Sequence, residues 1–138
     1  MKMKATAVWV KDYKCMLDNG RGQNVVVDLP IEQGGTNAGP MAIELCLMSL
    51  AGCIVTVFKI IAEKRRFAYT GFKVELEAEK DKDSGTIANV GGRMEIVTDR
   101  EERDAQTTLR LTIDNCPIGI LFDQAKVKFN WTLKVKKP

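Results

Sequence analysis

The stretch GGTNAGPMAIELCLMSLAGCIVTVFKIIAEKRRF, residues 34–67, decides the fold because it holds a long apolar helix that the rest of the chain must cover. Pro40 suits the first helical turn, where its missing N–H is not needed. Among residues 41–62, only Glu44 and Lys59 are charged. A surface helix would show one apolar stripe, so this pattern predicts a helix that is buried on most of its faces.

The length of this apolar run is near that of a membrane-spanning helix. Three polar residues, Glu44, Ser49 and Thr56, interrupt this run. The chain has no second hydrophobic segment of this kind. We therefore expect the core helix of a soluble protein and no interaction with a membrane. The first residues of the chain show no apolar segment or cleavage site of a signal peptide, so the expected location is cytoplasmic.

Alternating apolar and polar residues predict strands on both sides of the helix. Six are expected, at residues 3–11, 13–17, 24–29, 70–80, 86–98 and 126–135. An Asn-Gly turn joins the second and third strands, and Gly91-Gly92 predicts a bulge or bend in the fifth. Two shorter helices, one starting at Thr98 and one at Cys116, are expected before the last strand. This order indicates an α+β fold, and residues 1–138 suffice for a single domain.

The chain contains no histidine. Ser-His-Asp and Cys-His nucleophile pairs and histidine-based metal centres are therefore excluded. None of the four cysteines forms a Cys-x-x-Cys pair, so we expect no zinc ribbon, no metal and no cofactor. A net charge of +3 without a basic and aromatic platform also argues against a nucleic-acid partner.

Cys116 is followed directly by Pro117, which favours the first position of a helix and places the thiol at or next to the N-cap. A sulfur there faces free backbone N–H groups and the positive end of the helix dipole, and both lower the pKa of a thiol. The same position also suits a structural cap or a small buried side chain. The residues alone leave both interpretations open.

Cys53 lies midway along the long helix, beside Gly52. Core packing and thiol chemistry are both possible for it. Cys46 lies seven residues earlier, roughly 10 Å away along the helix axis, which is too far for a disulfide. We expect Cys46 and Cys15 to pack in the core.

Glu44 is an acidic residue within the first part of this apolar helix. A buried carboxylate needs a partner, and Arg21 in the turn between the second and third strands is one candidate. Alternatively, Glu44 is partly solvated and is stabilised by the positive end of the helix dipole.

Several motifs taken together resemble those of the OsmC/Ohr family. They are Gly39-Pro40, Glu44-Leu45, Ser49-Leu-Ala-Gly-Cys53 and, about sixty residues later, Cys116-Pro117-Ile118. The Ala-Gly-Cys motif in a long apolar helix and the distal Cys-Pro-Ile motif are specific as a pair. The order of strands and helices fits the family over the whole chain.

The resemblance implies an OsmC-like fold, with an antiparallel sheet and a long central buried helix, in an intertwined homodimer. It also implies a thiol-dependent peroxidase that reduces organic hydroperoxides. In this family pattern, Cys53 attacks the peroxide and becomes a sulfenic acid, and Cys116 resolves it as a disulfide that a dithiol then reduces. Arg21 and Glu44 match the arginine and the glutamate that orient and activate the first thiol.

One position departs from the family pattern. Ile43 stands where many peroxidase members have one of two adjacent acids. This difference brings the chain closer to the OsmC-like branch and motivates two alternatives to peroxidase activity. One is a protein that binds a small apolar ligand, and the other is a redox sensor in which oxidation of Cys53 and Cys116 changes a surface without turnover.

Overall fold

The computed structural model describes all 138 residues, and they form two compact units, Met1–Cys46 and Leu47–Pro138. The first unit contains three strands and a 3₁₀ turn: β1 (Thr6–Lys11), β2 (Lys14–Asp18), β3 (Asn24–Val27) and Ile31–Gln33. Helix α1 (Ala42–Arg65) begins at the end of this unit. The second unit continues with β4 (Gly71–Lys80), β5 (Ile87–Val97), α2 (Glu102–Asp114), α3 (Pro117–Gln124) and β6 (Lys128–Lys136). The order of elements and the α+β class agree with the sequence-based prediction.

In the first unit, β1, β2 and β3 form an antiparallel meander. The predicted turn lies between β2 and β3, where Gly20 and Gly22 adopt positive φ angles of 78° and 92°. The side chain of Asn19 accepts a hydrogen bond from the backbone N–H of Arg21 at 2.9 Å. Such turns favour glycine because it adopts positive φ without steric cost.

A buried carboxylate organises the loop between β3 and α1. Asp28 accepts hydrogen bonds from the Thr36 hydroxyl at 2.6 Å and from the backbone N–H groups of Leu29, Thr36 and Ala38. The Thr36 hydroxyl makes the largest contribution, and together these donors lower the pKa of Asp28 to about 2 against the opposing effect of burial. The carboxylate is therefore ionised at neutral pH and holds the loop closed through hydrogen bonds.

In the second unit, β5 is the central strand of a three-stranded sheet. Strand β4 pairs with it antiparallel, as predicted, but β6 pairs with it parallel. A parallel pair cannot be joined by a tight turn and needs a long crossover connection. Helices α2 and α3 form that crossover connection between β5 and β6. Cys116, at the start of α3, packs in one cluster with Val90 of β5.

Helix α1 is buried along one stripe only, formed by Leu50, Ile54, Phe58 and Ala62. The sequence predicts that α1 is buried on most of its faces, but in the single chain only this one stripe is buried. Other apolar side chains of the helix stay exposed, namely Met48, Val55 and Ile60. By length and composition alone, α1 also meets the criteria for a helix that could cross a membrane, and 22% of its most apolar window is buried.

The predicted start of α2 at Thr98 is three residues too early. The N-cap residue is Glu101, and its side chain makes no capping hydrogen bond. The Thr98 hydroxyl instead donates to the carbonyl of Ala68 at 2.7 Å and accepts from the backbone N–H of Arg100 at 3.0 Å. A residue suited to capping thus anchors the end of β5 to the segment before β4.

Gly91-Gly92 does not mark the predicted bulge, since the register of β4 and β5 shifts instead between Ala78 and Lys80. Gly92 lies opposite Trp131 of β6, and a Cβ atom on Gly92 would lie 2.3 Å from the indole ring. At Gly91 the nearest atom to such a Cβ would be 4.0 Å away. Gly92 is therefore required by the close approach of Trp131, while Gly91 is not.

We predict that Gly92→Ala lowers the free energy of unfolding by about 1–3 kcal/mol, because Trp131 must shift within a packed core. Urea denaturation followed by circular dichroism measures this change. Gly91→Ala is the matched control and is expected to change the urea midpoint little. Equal losses in the two variants would show that the ring of Trp131 does not impose the glycine.

Candidate functional site

Cys116 is the N-cap residue of α3, as predicted from the proline that follows it. Its Sγ accepts a hydrogen bond from the backbone N–H of Gly119 at 3.4 Å, and Pro117 occupies the first turn. The side chain is 1% exposed and belongs to an apolar cluster with Leu50 and Ile54 of α1. The thiol is thus held by a helix end on one side and by α1 on the other.

Helix α1 brings Cys53 to this thiol. Cys53 precedes Ile54 of the buried stripe, is half-buried and packs against the same cluster as Cys116. Its side chain lies close enough to the Cys116 thiol to raise the pKa of that thiol. The sequence places the two cysteines on separate helices, and the packing of α3 against α1 brings them together.

The pKa of the Cys116 thiol is raised from its ordinary value of 9.0 to about 11. Burial is the largest cause and the contact with Cys53 adds to it, whereas the N–H groups of Gly119 and Ile118 act in the opposite direction. The predicted lowering of this pKa is wrong, because the sequence shows the helix end but not the depth of burial. At neutral pH, Cys116 is therefore a protonated thiol that lies beside Cys53.

A cavity of about 240 Å³ opens beside Cys116. Most of its wall is apolar and comes from α1, α2, α3 and β6. The wall also contains two carboxylates, one at the end of α2 and one in α3. The lining residues are Leu50, Ile54, Ile113, Asp114, Cys116, Gly119, Ile120, Asp123, Phe129 and Trp131. The two aspartates and Trp131 are not among the site residues that the sequence predicts. Their only signal in the sequence is that Asp114 and Asp123 lie within a few residues of Cys116-Pro117.

The two charged residues that the resemblance assigns to the site, Arg21 and Glu44, both lie in the first unit. Glu44 is exposed, and its carboxylate accepts a hydrogen bond from the backbone N–H of Met41 at 3.0 Å. This matches the alternative in which the carboxylate is solvated at the helix N-terminus. Arg21 is exposed and makes no ion pair with Glu44. Roles for both residues toward Cys53 stay predictions.

The other two cysteines lie in the first unit. Cys15 is half-buried in β2, where its neighbours across the sheet are Trp9 and Val27. Cys46 is exposed, so its predicted place in the core is wrong: α1 buries one stripe only, and Cys46 lies off it. No group of three or more cysteine, aspartate or glutamate side chains is placed to hold a metal ion.

Solved structures of three OsmC and Ohr proteins are similar to the whole chain. An OsmC-like protein from Mycoplasma pneumoniae has a TM-score of 0.88 at 15% identity, covering 99% of this chain and 98% of that one. An organic hydroperoxide resistance protein OsmC from Legionella pneumophila has a TM-score of 0.73 at 15% identity, covering 99% and 97%. The organic hydroperoxide resistance protein OhrB of Bacillus subtilis has a TM-score of 0.68 at 16% identity, covering 97% and 98%. At these identities the likeness shows a shared fold.

No curated protein matches the sequence at a significant level. The family model described as OsmC-like protein matches residues 35–132. This range contains the whole of α1 and the start of α3, and so includes both Cys53 and Cys116. With a match over most of its length and the same fold as solved family members, this chain belongs to the OsmC-like family.

Proposed function

We propose that this protein is a thiol-dependent peroxidase that reduces organic hydroperoxides. The observation that carries the proposal is the contact between the Cys53 and Cys116 side chains in an apolar cluster. Without histidine, Ser-His and Cys-His nucleophile pairs cannot be built, and two thiols packed in one cluster are suited to oxidation as a pair. The names of the Legionella pneumophila and Bacillus subtilis proteins, organic hydroperoxide resistance proteins, support the same class of substrate.

In the first step, the Cys53 thiolate attacks the outer oxygen of the hydroperoxide. A sulfur–oxygen bond forms and the oxygen–oxygen bond breaks. The alkoxide takes from solvent the proton that Cys53 lost when it became a thiolate, and leaves as an alcohol. Cys53 is then a sulfenic acid. Before this step, the protonated Cys116 lies beside Cys53 in the same apolar cluster.

In the second step, the Cys116 sulfur attacks the sulfenic sulfur of Cys53. The disulfide forms, the sulfur–oxygen bond breaks, and the hydroxyl leaves as water with the proton of Cys116. The existing contact between the side chains keeps this movement short. A dithiol then reduces the disulfide and is itself oxidised, which restores both thiols.

Arg21 and Glu44 are proposed to orient and activate Cys53, as the resemblance to the family implies. Ile43 removes one acid from the usual pattern, so Glu44 alone supplies a carboxylate at this helix start. We also propose a cytoplasmic location, where dithiol reductants keep cysteines reduced.

The functional protein is further proposed to be a homodimer. In the first unit, β1 is an edge strand, and its Val8, Trp9 and Val10 are 58%, 72% and 52% exposed. Exposed edge strands with large apolar side chains are normally covered in soluble proteins. The exposed apolar side chains of α1, Met48, Val55 and Ile60, are also expected to be buried against another surface. A second copy of the chain, which carries the same surfaces, is the occupant that the resemblance implies.

The cavity beside Cys116 favours one alternative, a protein that binds a small apolar ligand without turnover. Its wall is mostly apolar, and Cys53 is not among its lining residues. In that case the two cysteines pack in the core and do not react. The peroxide experiment below separates the two functions.

We predict that one equivalent of cumene hydroperoxide converts the reduced protein to a form lighter by two hydrogens, with a Cys53–Cys116 disulfide that a dithiol reverses. Intact mass and peptide mapping measure this. Cys53→Ser should abolish the reaction, whereas Cys116→Ser should leave a sulfenic acid that dimedone traps. Cys15→Ser and Cys46→Ser are the controls and should react normally. Four unchanged thiols in the native protein would refute the peroxidase and favour the ligand-binding protein.

The second prediction concerns the protonation of Cys116. In a Cys15→Ser/Cys46→Ser background, Cys116 should titrate at about 11, so its alkylation by iodoacetamide stays slow through neutral pH and rises only in strong alkali. Cys53→Ala should lower the pKa of Cys116, because it removes the contact that raises it. Mass-spectrometric alkylation rates across a pH series measure both values. A Cys116 that titrates below its ordinary value of 9.0 would contradict the protonated thiol.

The third prediction concerns assembly. Sedimentation at micromolar concentration should give a dimer, and Trp9→Lys should weaken the dimer at least about tenfold, because a charge would replace a large apolar side chain in the contact. Leu121→Lys is the matched control, since Leu121 is also exposed but lies outside the two surfaces named above. A monomeric native protein, or equal effects of the two variants, would count against the proposed interface.

A further inference from the structure

Arg65 joins the helix that carries Cys53 to the helix that leads into Cys116. It lies in the last turn of α1, where its Nη2 donates to Oδ1 of Asp104 at 2.8 Å and its Nε donates to Oγ1 of Thr108 at 3.2 Å. Both acceptors belong to α2 and lie four residues apart, so they occupy one face of that helix. We call these two hydrogen bonds the Arg65 link. Because the guanidinium is planar and rigid, the link restricts both the slide and the rotation of α2 against α1.

Each acceptor of the Arg65 link is itself held in place. The Thr108 side chain is fully buried, and its hydroxyl donates to the carbonyl of Asp104 at 2.8 Å. The oxygen of that hydroxyl is therefore free to accept from Arg65. The second carboxylate oxygen of Asp104 accepts from Arg100 at 3.2 Å. The side chains of Arg65 and Asp104 are 32% and 27% exposed, so solvent screens this pair less than an ion pair on the open surface.

Apolar packing gives α2 little to fix its register. Most of its buried residues are small, namely Ala105, Thr108 and Thr112, and Leu109 is the one large apolar side chain among them. Apolar contact is non-directional, so a face of small side chains does little to select one position of α2 along α1. Directional hydrogen bonds select that position, and the Arg65 link supplies them.

Helix α2 transmits this register to Cys116. The backbone N–H of Cys116 donates to the carbonyl of Ile113 at 3.3 Å, which ties the thiol directly to the last turn of α2. Cys116 follows Thr108 by eight residues, roughly 12 Å along a helix. Cys53 precedes Arg65 by twelve residues, roughly 18 Å along α1. The Arg65 link therefore lies at one end of this helix pair, and the apolar cluster with both cysteines lies at the other.

We propose that Arg65 is a positioning residue for the second proposed step, in which Cys116 attacks the sulfenic acid of Cys53 and water leaves. It sets the register of α2 against α1 and so keeps the two sulfur atoms within reach of each other. This inference rests on the proposed function and deepens it by naming what controls disulfide formation. A disulfide has a short S–S bond and a narrow range of dihedral angles, so a shift of about 1 Å slows its formation strongly. The first step needs only Cys53 and the peroxide, so it depends little on the register of α2.

The two steps are compared in a Cys15→Ser/Cys46→Ser background with one equivalent of cumene hydroperoxide. Samples are quenched with dimedone at intervals, and intact mass gives the amounts of sulfenic acid and disulfide. In Arg65→Met, peroxide consumption should stay within about twofold of the native rate, while disulfide formation slows at least about tenfold and sulfenic acid accumulates. Thr108→Val removes one acceptor at nearly constant shape and should slow the same step at least about threefold. It carries the test if Arg65→Met does not fold.

Three further variants separate positioning from the loss of a charge or of stability. Arg65→Lys keeps the positive charge without the planar guanidinium, so its disulfide formation should stay at least about fivefold slow. Arg100→Met removes the other partner of Asp104, and Lys59→Met removes an ion pair within α1. Both keep the Arg65 link and should form the disulfide within about twofold of the native rate. Urea midpoints show that each variant is folded in the assay.

Three results would overturn the inference. The first is a native rate of disulfide formation in the folded Arg65→Met and Thr108→Val variants. The second is a native rate in Arg65→Lys, which would show that charge alone suffices. The third is equal slowing in Arg65→Met and in the two variants that keep the Arg65 link.

Equilibration with reduced and oxidised dithiothreitol separates this inference from the proposed function, because it needs no peroxide. The ratio of the Cys53–Cys116 disulfide to the dithiol should fall at least about tenfold in Arg65→Met. If the native protein consumes no peroxide but the ratio falls in the variant, the peroxidase is refuted and the positioning by Arg65 stands. If peroxide is consumed and the variant matches the native protein in both ratio and rate, the positioning is refuted and the peroxidase stands. A native protein that forms no such disulfide under either condition would refute both.

Discussion

The packing of one stripe of α1 is the constraint on which the second unit depends. Leu50, Ile54 and Phe58 are 0–1% exposed and lie four residues apart, so they face the same side of the helix. Burying each such side chain contributes roughly 1.5–3 kcal/mol to the stability of the fold. This energy favours the one orientation of the helix about its axis in which the stripe faces the core. Cys53 directly precedes Ile54, so this rotation also determines where its thiol points. The position of the reactive candidate is therefore a consequence of core packing.

The environment of Cys116 results from a competition between two effects. The N–H groups at the start of α3 favour a thiolate, and burial against α1 disfavours it more strongly. The balance leaves a protonated thiol next to Cys53. A protonated thiol is a poor nucleophile, so the proposed function gives the first attack to Cys53 and not to Cys116. In the proposed reaction, the half-buried Cys53 attacks the peroxide and Cys116 acts in the step that follows.

The spacing of apolar residues predicted the order of strands and helices. Apolar residues repeat every two positions in a strand and every three to four in a helix, and this spacing is visible in the sequence alone. It could not predict that β6 pairs parallel with β5, because strand direction depends on the α2 and α3 crossover. The Asn-Gly turn and the N-cap of Cys116 depend on neighbouring residues and were predicted correctly. The exposure of Cys46, the raised pKa of Cys116 and the need for glycine opposite Trp131 depend on residues distant in sequence. The aspartates beside the cavity belong to this second group, since only the fold shows that they share one wall.

The absence of histidine shapes the proposed chemistry more than any residue that is present. Both proposed steps move a proton, and the apolar cluster around Cys53 and Cys116 offers no side chain that titrates near neutral pH to carry it. Cys116 carries a proton at neutral pH and lies in the same cluster as the reacting sulfur. During disulfide formation it can leave with the hydroxyl as water, so the step does not require a free Cys116 thiolate. A thiol with a raised pKa is consistent with this role, because the same burial that raises its pKa keeps its proton available until the sulfenic acid has formed.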